Sequence, residues 1–135
     1  MTVTLNIAAA CLLDEQGRLL LVRKRGTRAF MLPGGKREAG ESPLNALLRE
    51  LREELDLSLA ESTLTPLGRF QAPAANEADT WVDAHIYVAA LPHPVQPAAE
   101  LEELAWLESA EERSDSLAPL LRDKVLPALF DYLGR

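Results

Sequence analysis

The leucines between residues 44 and 55 constrain the fold of this chain more than any other feature of its 135 residues. They recur at the spacing of one face of an α-helix, which predicts a helix with a core-facing stripe. Ser42 stands where an N-cap belongs, and Pro43 suits the first helical position because its missing N–H would have no partner there. We expect the helix to end near Asp56. The stripe consists of Leu44, Leu47, Leu48, Leu51 and Leu55.

Strands are predicted before this helix. Residues 3–13 form an apolar run that is typical of a largely buried strand, and residues 19–22 continue as a second strand after a turn at residues 15–17. A hairpin is therefore expected. The short apolar piece at residues 30–32 is followed by Pro-Gly-Gly at 33–35, which is predicted to stop it.

Further elements are predicted after the helix. Apolar and polar side chains alternate over residues 81–91, which indicates a strand, and residues 104–107 indicate another. A closing helix is expected over residues 116–133, kinked or divided at Pro127. Together the elements predict an α/β (α+β) class with a mixed sheet and helices packed on it, in one domain covering residues 1–135.

Three carboxylates are crowded beside the leucine stripe. At roughly 100° per residue, Glu50, Glu53 and Glu54 cover an arc of about 100° on one edge of the helix. Their mutual repulsion calls for a positive partner, and Arg49 can pair with one carboxylate but cannot neutralise three. A hard divalent cation such as Mg²⁺ can do so. On this geometry alone, an exposed Glu/Arg helix face remains the alternative.

The segment from Gly35 to Leu57 resembles the Nudix box, G-x5-E-x7-R-E-U-x-E-E-x-G-U, in which U is a bulky aliphatic residue. One position departs from the pattern, because Asp56 stands where the family has glycine. Aspartate tolerates the left-handed conformation, so we expect the helix to end at this position as it does with glycine. The two N-terminal strands, the Leu-Pro-Gly-Gly sequence and residues 100–107 also look like the Nudix pattern. The residues in register are Gly35, Glu41, Arg49, Glu50, Leu51, Glu53, Glu54 and Leu57.

The resemblance implies a Nudix fold, a mixed β-sheet sandwiched between helices, with the box at residues 35–57. It also implies a divalent metal site. Glu50, Glu53 and Glu54 look like the metal-binding carboxylates, and the backbone carbonyl of Gly34 looks like a further ligand. Mg²⁺ is the expected cofactor, with Mn²⁺ as the alternative.

The resemblance also implies catalytic roles. Glu53 is predicted to take a proton from the attacking water, with Glu50 as the next candidate. Arg49 looks like the residue that orients one of these glutamates, and Glu41 looks like its support. Gly35 lets the backbone turn tightly before the helix.

Residues outside the box are candidates for other roles. In this family the general base also comes from glutamates outside the box, here Glu77, Glu100, Glu102 or Glu103. The basic cluster between residues 23 and 37 could hold a small polyphosphate; Arg23 and Arg25 are its candidates for phosphate contacts, and Glu103 is a further candidate for substrate binding.

Aromatic and histidine side chains have structural interpretations that compete with functional ones. Trp81 and Trp106 could stack on a base, although Trp106 beside an apolar strand is more often part of a core. Phe30 is predicted to pack in the core. His85 is predicted to be a polar surface residue, with a place in the pocket as the alternative.

Function follows from the resemblance rather than from composition. The leading interpretation is a Mg²⁺-dependent pyrophosphohydrolase that cleaves a phosphoanhydride bond in a small nucleotide-like substrate, either a (deoxy)nucleoside triphosphate, a nucleotide sugar or a dinucleotide. The alternative is a non-catalytic Nudix-fold binding or regulatory protein, which would be expected to lose box glutamates. An isomerase on this fold would need further groups, such as a cysteine in the pocket, and Cys11 in an apolar strand is a poor candidate.

Bulk properties limit the partners. The net charge of −7 argues against binding to a nucleic-acid polymer. A single cysteine and an N-terminus without a basic leader suggest the cytoplasm, and the apolar run there is too short to span a membrane. A homodimer is expected only by analogy with the family.

Overall fold

A long central strand organises the fold in the computed structural model, which describes residues 2–75, 77–108 and 116–135. The strands are β1 (Val3–Leu13), β2 (Leu19–Lys24), β3 (Gly34–Lys36), β4 (Thr65–Pro73), β5 (Thr80–Ala90) and β6 (Leu101–Leu107). The central strand, β1, pairs in parallel with β5 along one edge, and its other edge is shared by β2 and β3, both antiparallel. β4 extends the sheet beyond β5, and β6 extends it beyond β2, so the order is β4-β5-β1-β2-β6.

Two helices, α1 (Pro43–Leu55) and α2 (Leu126–Leu133), cover opposite faces of this sheet. Alternating side chains of β1 divide between the faces, as a strand requires. Ala8, Ala10 and Leu12 pack with the leucines of α1, whereas Ala9 and Cys11 pack with α2. The predicted mixed sheet between helices is confirmed.

Both ends of α1 follow the sequence prediction. The Ser42 hydroxyl accepts a hydrogen bond from the Asn45 N–H at 3.1 Å, which caps the first turn. At the other end Asp56 adopts the left-handed conformation with φ 51°, and its N–H donates to the carbonyls of Arg52 and Leu51. The aspartate therefore closes the helix as the glycine of the family pattern would.

The structure differs from the prediction at the Pro-Gly-Gly sequence. Gly34 and Gly35 do not stop a segment but form β3, since glycine lets the backbone approach β1 closely. A Cβ on Gly34, whose φ is +145°, would lie 2.2 Å from the Ala8 carbonyl oxygen. The strand therefore requires glycine at this position.

Three other elements differ in extent. β4 was not predicted, because Pro66, Gly68 and Pro73 interrupt its pattern. β6 begins at Leu101, three residues earlier than expected. The closing helix is divided, as Pro127 suggested: a π-helical segment (Leu120–Val125) precedes α2, and Pro127 lies in the first turn of α2, where no N–H is needed.

Cys11 lies in the middle of β1 and is fully buried. Burial raises the pKa of its thiol to about 12, because the thiolate would lose its hydration. This supports the prediction that Cys11 is a core residue. In the part of the chain that the structure describes, no helix has the length and apolar character needed to cross a membrane.

Candidate metal and phosphate site

Glu54 is a buried carboxylate between α1 and β3. It is 1% exposed, and its Oε1 accepts a hydrogen bond from the Gly34 N–H at 3.0 Å. Its Oε2 is buried and has no hydrogen-bond partner among the described residues. Burial raises the pKa of Glu54 to about 8, against the effect of the Gly34 hydrogen bond. The site therefore presents one buried oxygen that lacks a positive or donating partner.

Glu50 lies one helical turn before Glu54 and is also largely buried, with a side chain 14% exposed. Its Oε1 accepts a hydrogen bond from Arg49 at 2.9 Å. Burial raises the pKa of Glu50, and Arg49 partly offsets this. Gly35 makes room for the carboxylate, because a Cβ at residue 35 would lie 2.5 Å from the Glu50 Cδ.

Arg49 joins the carboxylates to the loop before α1. Its Nε and one terminal nitrogen donate to the two oxygens of Glu41, each at 2.8 Å, and the same terminal nitrogen donates to the Lys36 carbonyl at 3.0 Å. The bidentate pair lowers the pKa of Glu41 to about 2 and raises that of Arg49. Arg49 thus fixes Glu50 relative to the loop, with Glu41 as its anchor.

Glu53 is the most accessible of the three box carboxylates on α1, with a side chain 54% exposed and an oxygen 3.5 Å from Arg49. Within residues 2–75, 77–108 and 116–135, no three acidic, histidine or cysteine side chains already converge as a metal-holding group. The glutamates repel one another, and Arg49 contacts both Glu50 and Glu53. Both effects keep the three carboxylates from meeting at one point. The donor set nevertheless fits a hard cation, since Glu54 keeps a buried oxygen without a partner.

Lys24 and Glu100 lie beside these carboxylates. Lys24 Nζ is 3.4 Å from a Glu100 oxygen, and the Glu100 carbonyl accepts from the Arg25 N–H at 2.8 Å. The charge of Lys24 lowers the pKa of Glu54, and that of Glu100 raises it. Glu100 was one of four predicted outside-the-box candidates, and Lys24 was predicted only as a member of the basic cluster. The end of β2, adjoining the start of β6, is what brings the two together.

The three residues predicted to bind substrate are paired with other groups. Arg23 Nε donates to Glu103 at 2.8 Å, and another Arg23 nitrogen donates to the Thr27 carbonyl at 2.7 Å. Arg25 lies 3.6 Å from Glu102 and donates to the Ala99 carbonyl. None of Arg23, Arg25 and Glu103 is among the residues that line the cavity described next; their role in substrate binding stays a prediction.

A cavity of about 280 Å³ lies on the α2 face of the sheet, directly beside this site. Gly34 and Gly35 form part of its wall, and they are the residues that contact Glu54 and Glu50. Lys24 and Lys36 also line it, and Glu77 is a further lining residue. A compound with a phosphate chain and a compact organic group would therefore find cations, carboxylates and an apolar recess within one region.

His85 departs from the prediction of a polar surface residue. It is half-buried, its Nδ1 is buried without a partner, and burial lowers its pKa. Its position on β5 opposite Ala8 turns it toward the α1 face rather than into the cavity. Phe30 is buried in the core as predicted. Trp81 is exposed, and Trp106 is half-buried beneath the Arg18 guanidinium, 5.3 Å from the ring centre.

The fold is a mixed sheet between helices, in which a carboxylate-bearing helix packs against a Gly-Gly strand. Comparison with known proteins identifies its family. The NUDIX domain family model matches residues 4–129. The chain belongs to the Nudix family. The predicted family and fold are thereby confirmed. Proteins of this family generally use divalent metals.

Known proteins similar to this chain share either its fold or a short segment. A MutT protein from Methanosarcina mazei Go1 superposes with a TM-score of 0.78 at 22% identity, covering 99% of this chain and 97% of that one. An RNA pyrophosphohydrolase of Halorhodospira halophila is 48% identical over 48 residues, which are 36% of this chain and 26% of the relative. An 8-oxo-dGTP diphosphatase of Proteus vulgaris is 37% identical over 65 residues, 44% of this chain and 57% of the relative.

Proposed function

We propose that this protein is a Mg²⁺-dependent pyrophosphohydrolase that cleaves a phosphoanhydride bond in a small nucleotide-like substrate. The observation that carries the proposal is Glu54, a buried carboxylate with one oxygen held by Gly34 and the other without a partner. Burying such a group without compensation is costly, and a bound cation would supply the compensation. The relatives named RNA pyrophosphohydrolase and 8-oxo-dGTP diphosphatase support the reaction class.

Glu50, Glu53 and Glu54 would hold the metal through hard carboxylate oxygens, with the Gly34 carbonyl as a further ligand. When bound, Mg²⁺ would neutralise phosphate charge and lower the pKa of a coordinated water. Mn²⁺ shares the preference for oxygen ligands and is the alternative cofactor.

The protein's own groups then divide the remaining work. Arg49 keeps Glu50 in place through its contacts to Glu41 and the Lys36 carbonyl. Glu53 accepts the proton of the attacking water, because its half-exposed carboxylate is open to solvent. Glu100 is the alternative base, since it is also exposed and its charge acts on Glu54.

The substrate is proposed to be a (deoxy)nucleoside triphosphate, a nucleotide sugar or a dinucleotide. Lys24 and Lys36 would face its phosphates, because both line the cavity beside the carboxylates. Location in the cytoplasm and assembly as a homodimer remain predictions, and the net charge of −7 still argues against a nucleic-acid polymer as partner.

A non-catalytic binding protein is the second candidate, but the chain keeps all of the box glutamates, which does not favour it. The test is phosphate release with Mg²⁺ over a nucleotide panel, comparing the wild type with Glu53→Gln. Glu61→Gln, an exposed glutamate outside the site, is the matched control. Loss of most activity in Glu53→Gln alone supports the proposal. Equal activity in all three proteins contradicts the role of Glu53, and inactivity of the wild type on every compound favours the binding protein.

A further inference from the structure

The cavity beside the metal site has aliphatic walls. They include side chains from β1 and β5, from the turn after β4 and from residues 118–121, and several are small or branched. Among residues 2–75, 77–108 and 116–135, no aromatic side chain lines it. The wall includes Ile7, Ala9, Ala74, Val82, Ala118 and Leu121.

The polar groups that line the cavity are poorly placed to form hydrogen bonds with the organic part of a ligand. Lys24 belongs to the side nearest the carboxylates, since its charge acts on Glu50 and Glu54, and Lys36 follows Gly35 in β3. The Thr27 hydroxyl already donates to the Lys24 carbonyl at 2.8 Å. Glu77 is exposed to solvent. Among the described lining residues, few groups could therefore recognise the organic part of a ligand by hydrogen bonds, and no aromatic ring is present for it to stack on.

Part of this apolar wall is uncovered. Ile7 and Val82 are only half-buried, and so is Ala74 in the turn between β4 and β5. A ligand that covers them removes apolar surface from water, which is favourable in proportion to the area. Its affinity should thus rise with the apolar area that it presents.

We propose that the cavity selects substrates by apolar contact, and that it favours nucleotides whose base carries an alkyl group over the same nucleotides without it. The inference rests on the proposed function in one respect, namely that the phosphates of the ligand lie beside Lys24 and the carboxylates. A pyrimidine with a 5-methyl group suits a space of about 280 Å³, which is at the small end of ligand pockets.

The first measurement compares dUTP, dTTP and 5-hydroxymethyl-dUTP on the wild-type protein. Binding is measured by calorimetry with Ca²⁺, and cleavage by kcat/KM with Mg²⁺. We expect dTTP to bind about fourfold more tightly than dUTP, the gain typical of one buried methyl group. Its heat-capacity change should be more negative, which marks apolar burial. The hydroxymethyl compound should lose the advantage, because its hydroxyl would be buried without a partner.

Two variants test the wall itself. Val82→Thr keeps the side-chain shape but exchanges a methyl for a hydroxyl, and should bring the dTTP/dUTP affinity ratio toward one. Val3→Thr makes the same exchange on β1 at a residue that is 52% exposed and outside the lining, and should leave the ratio unchanged. Ala74→Leu, at a half-exposed position in a turn, should fill the recess and weaken the binding of dTTP more than that of dUTP.

The outcomes separate this inference from the proposed function. Cleavage without any preference for dTTP overturns the inference alone, as does a Val82→Thr variant that behaves like Val3→Thr. Methyl-dependent binding without cleavage supports the inference and counts against cleavage of these triphosphates. Absence of both binding and cleavage with all three compounds overturns the inference, while the proposed function is decided by the wider nucleotide panel.

Discussion

Gly35 and Glu50 face each other so closely that a Cβ on residue 35 would lie 2.5 Å from the Glu50 Cδ and 2.7 Å from its Oε1. The contact is with the far end of a flexible side chain and not with backbone. A substitution at residue 35 is therefore expected to displace the carboxylate rather than to disrupt the sheet.

Gly35→Ala should lower kcat/KM by about 10- to 100-fold, because a displacement of about 1 Å in a catalytic group can have this effect. Its melting temperature should stay close to that of the wild type. Gly34→Ala makes the contrasting case, since its Cβ would meet the Ala8 carbonyl oxygen at 2.2 Å and should destabilise the fold. Thermal unfolding and steady-state kinetics on both variants check this; an inactive, equally destabilised pair would contradict it.

Glu54→Gln should stabilise the protein in the absence of divalent cations while abolishing activity. The amide oxygen can still accept from the Gly34 N–H, and the cost of holding a buried carboxyl at a raised pKa is removed, a gain of about 1 kcal/mol or more near pH 7. With Mg²⁺ added, only the wild type should gain stability, since ligand binding to the native state raises its unfolding free energy. Denaturant unfolding with EDTA and with Mg²⁺ measures both effects. Equal Mg²⁺ stabilisation of the two proteins would exclude Glu54 as a ligand.

Arg49→Lys should lower kcat/KM by about 10- to 100-fold, the usual effect of losing a group that orients a metal ligand. Lysine keeps the charge but cannot form the two parallel hydrogen bonds to Glu41 and also reach Glu50. The Mg²⁺ concentration needed for half-maximal activity should rise as well. Arg52→Lys, at an exposed position on the same helix, is the control and should behave like the wild type.

The hydrogen bonds that Asp83 accepts from Arg69 should add to the free energy of unfolding, and this contribution should be lost in acid. Its buried carboxylate accepts two hydrogen bonds from Arg69, at 2.8 and 2.6 Å, which hold its pKa below the ordinary value of 3.8. A lowered pKa in the folded state gives stability that is complete above pH 3.8 and is lost as the pH falls through the folded value. Asp83→Asn should therefore melt a few degrees below the wild type at pH 7.

The same difference should vanish in acid. Melting temperatures of wild type and Asp83→Asn, measured from pH 7 downward, should converge below pH 3.8 as the wild-type carboxyl becomes protonated. Asp131→Asn changes an exposed aspartate on α2 and should run parallel to the wild type throughout. A gap between Asp83→Asn and the wild type that is independent of pH would show that shape, not charge, matters at this position.

Local signals predicted α1 and its ends because the determinants lie within the helix. The leucine spacing, Ser42, Pro43 and the left-handed tolerance of Asp56 all act over a few residues. The same holds for the carboxylates, whose common edge follows from helical geometry. Arg49 contacts Glu41 and Glu50, and its role in catalysis stays a prediction.

Long-range pairing was not predictable in this way. β3 exists because β1 lies alongside Gly34 and Gly35, and β4 because β5 supplies its partner. Lys24 meets Glu100 only because β2 and β6 are adjacent, so no spacing in the sequence distinguishes Lys24 from its neighbours Arg23 and Arg25. The cavity likewise depends on which faces of the strands are left uncovered by α2.

Cys11 is the only cysteine in the chain and has no exposed surface. A thiol reagent added to the closed molecule therefore finds nothing to modify. Any reaction must wait until β1 separates from its neighbours, so the rate of labelling reports how often the centre of the sheet opens. Cys11 thus reports on local opening of the sheet in the wild-type protein, on the strand next to the glycines that contact Glu54 and Glu50.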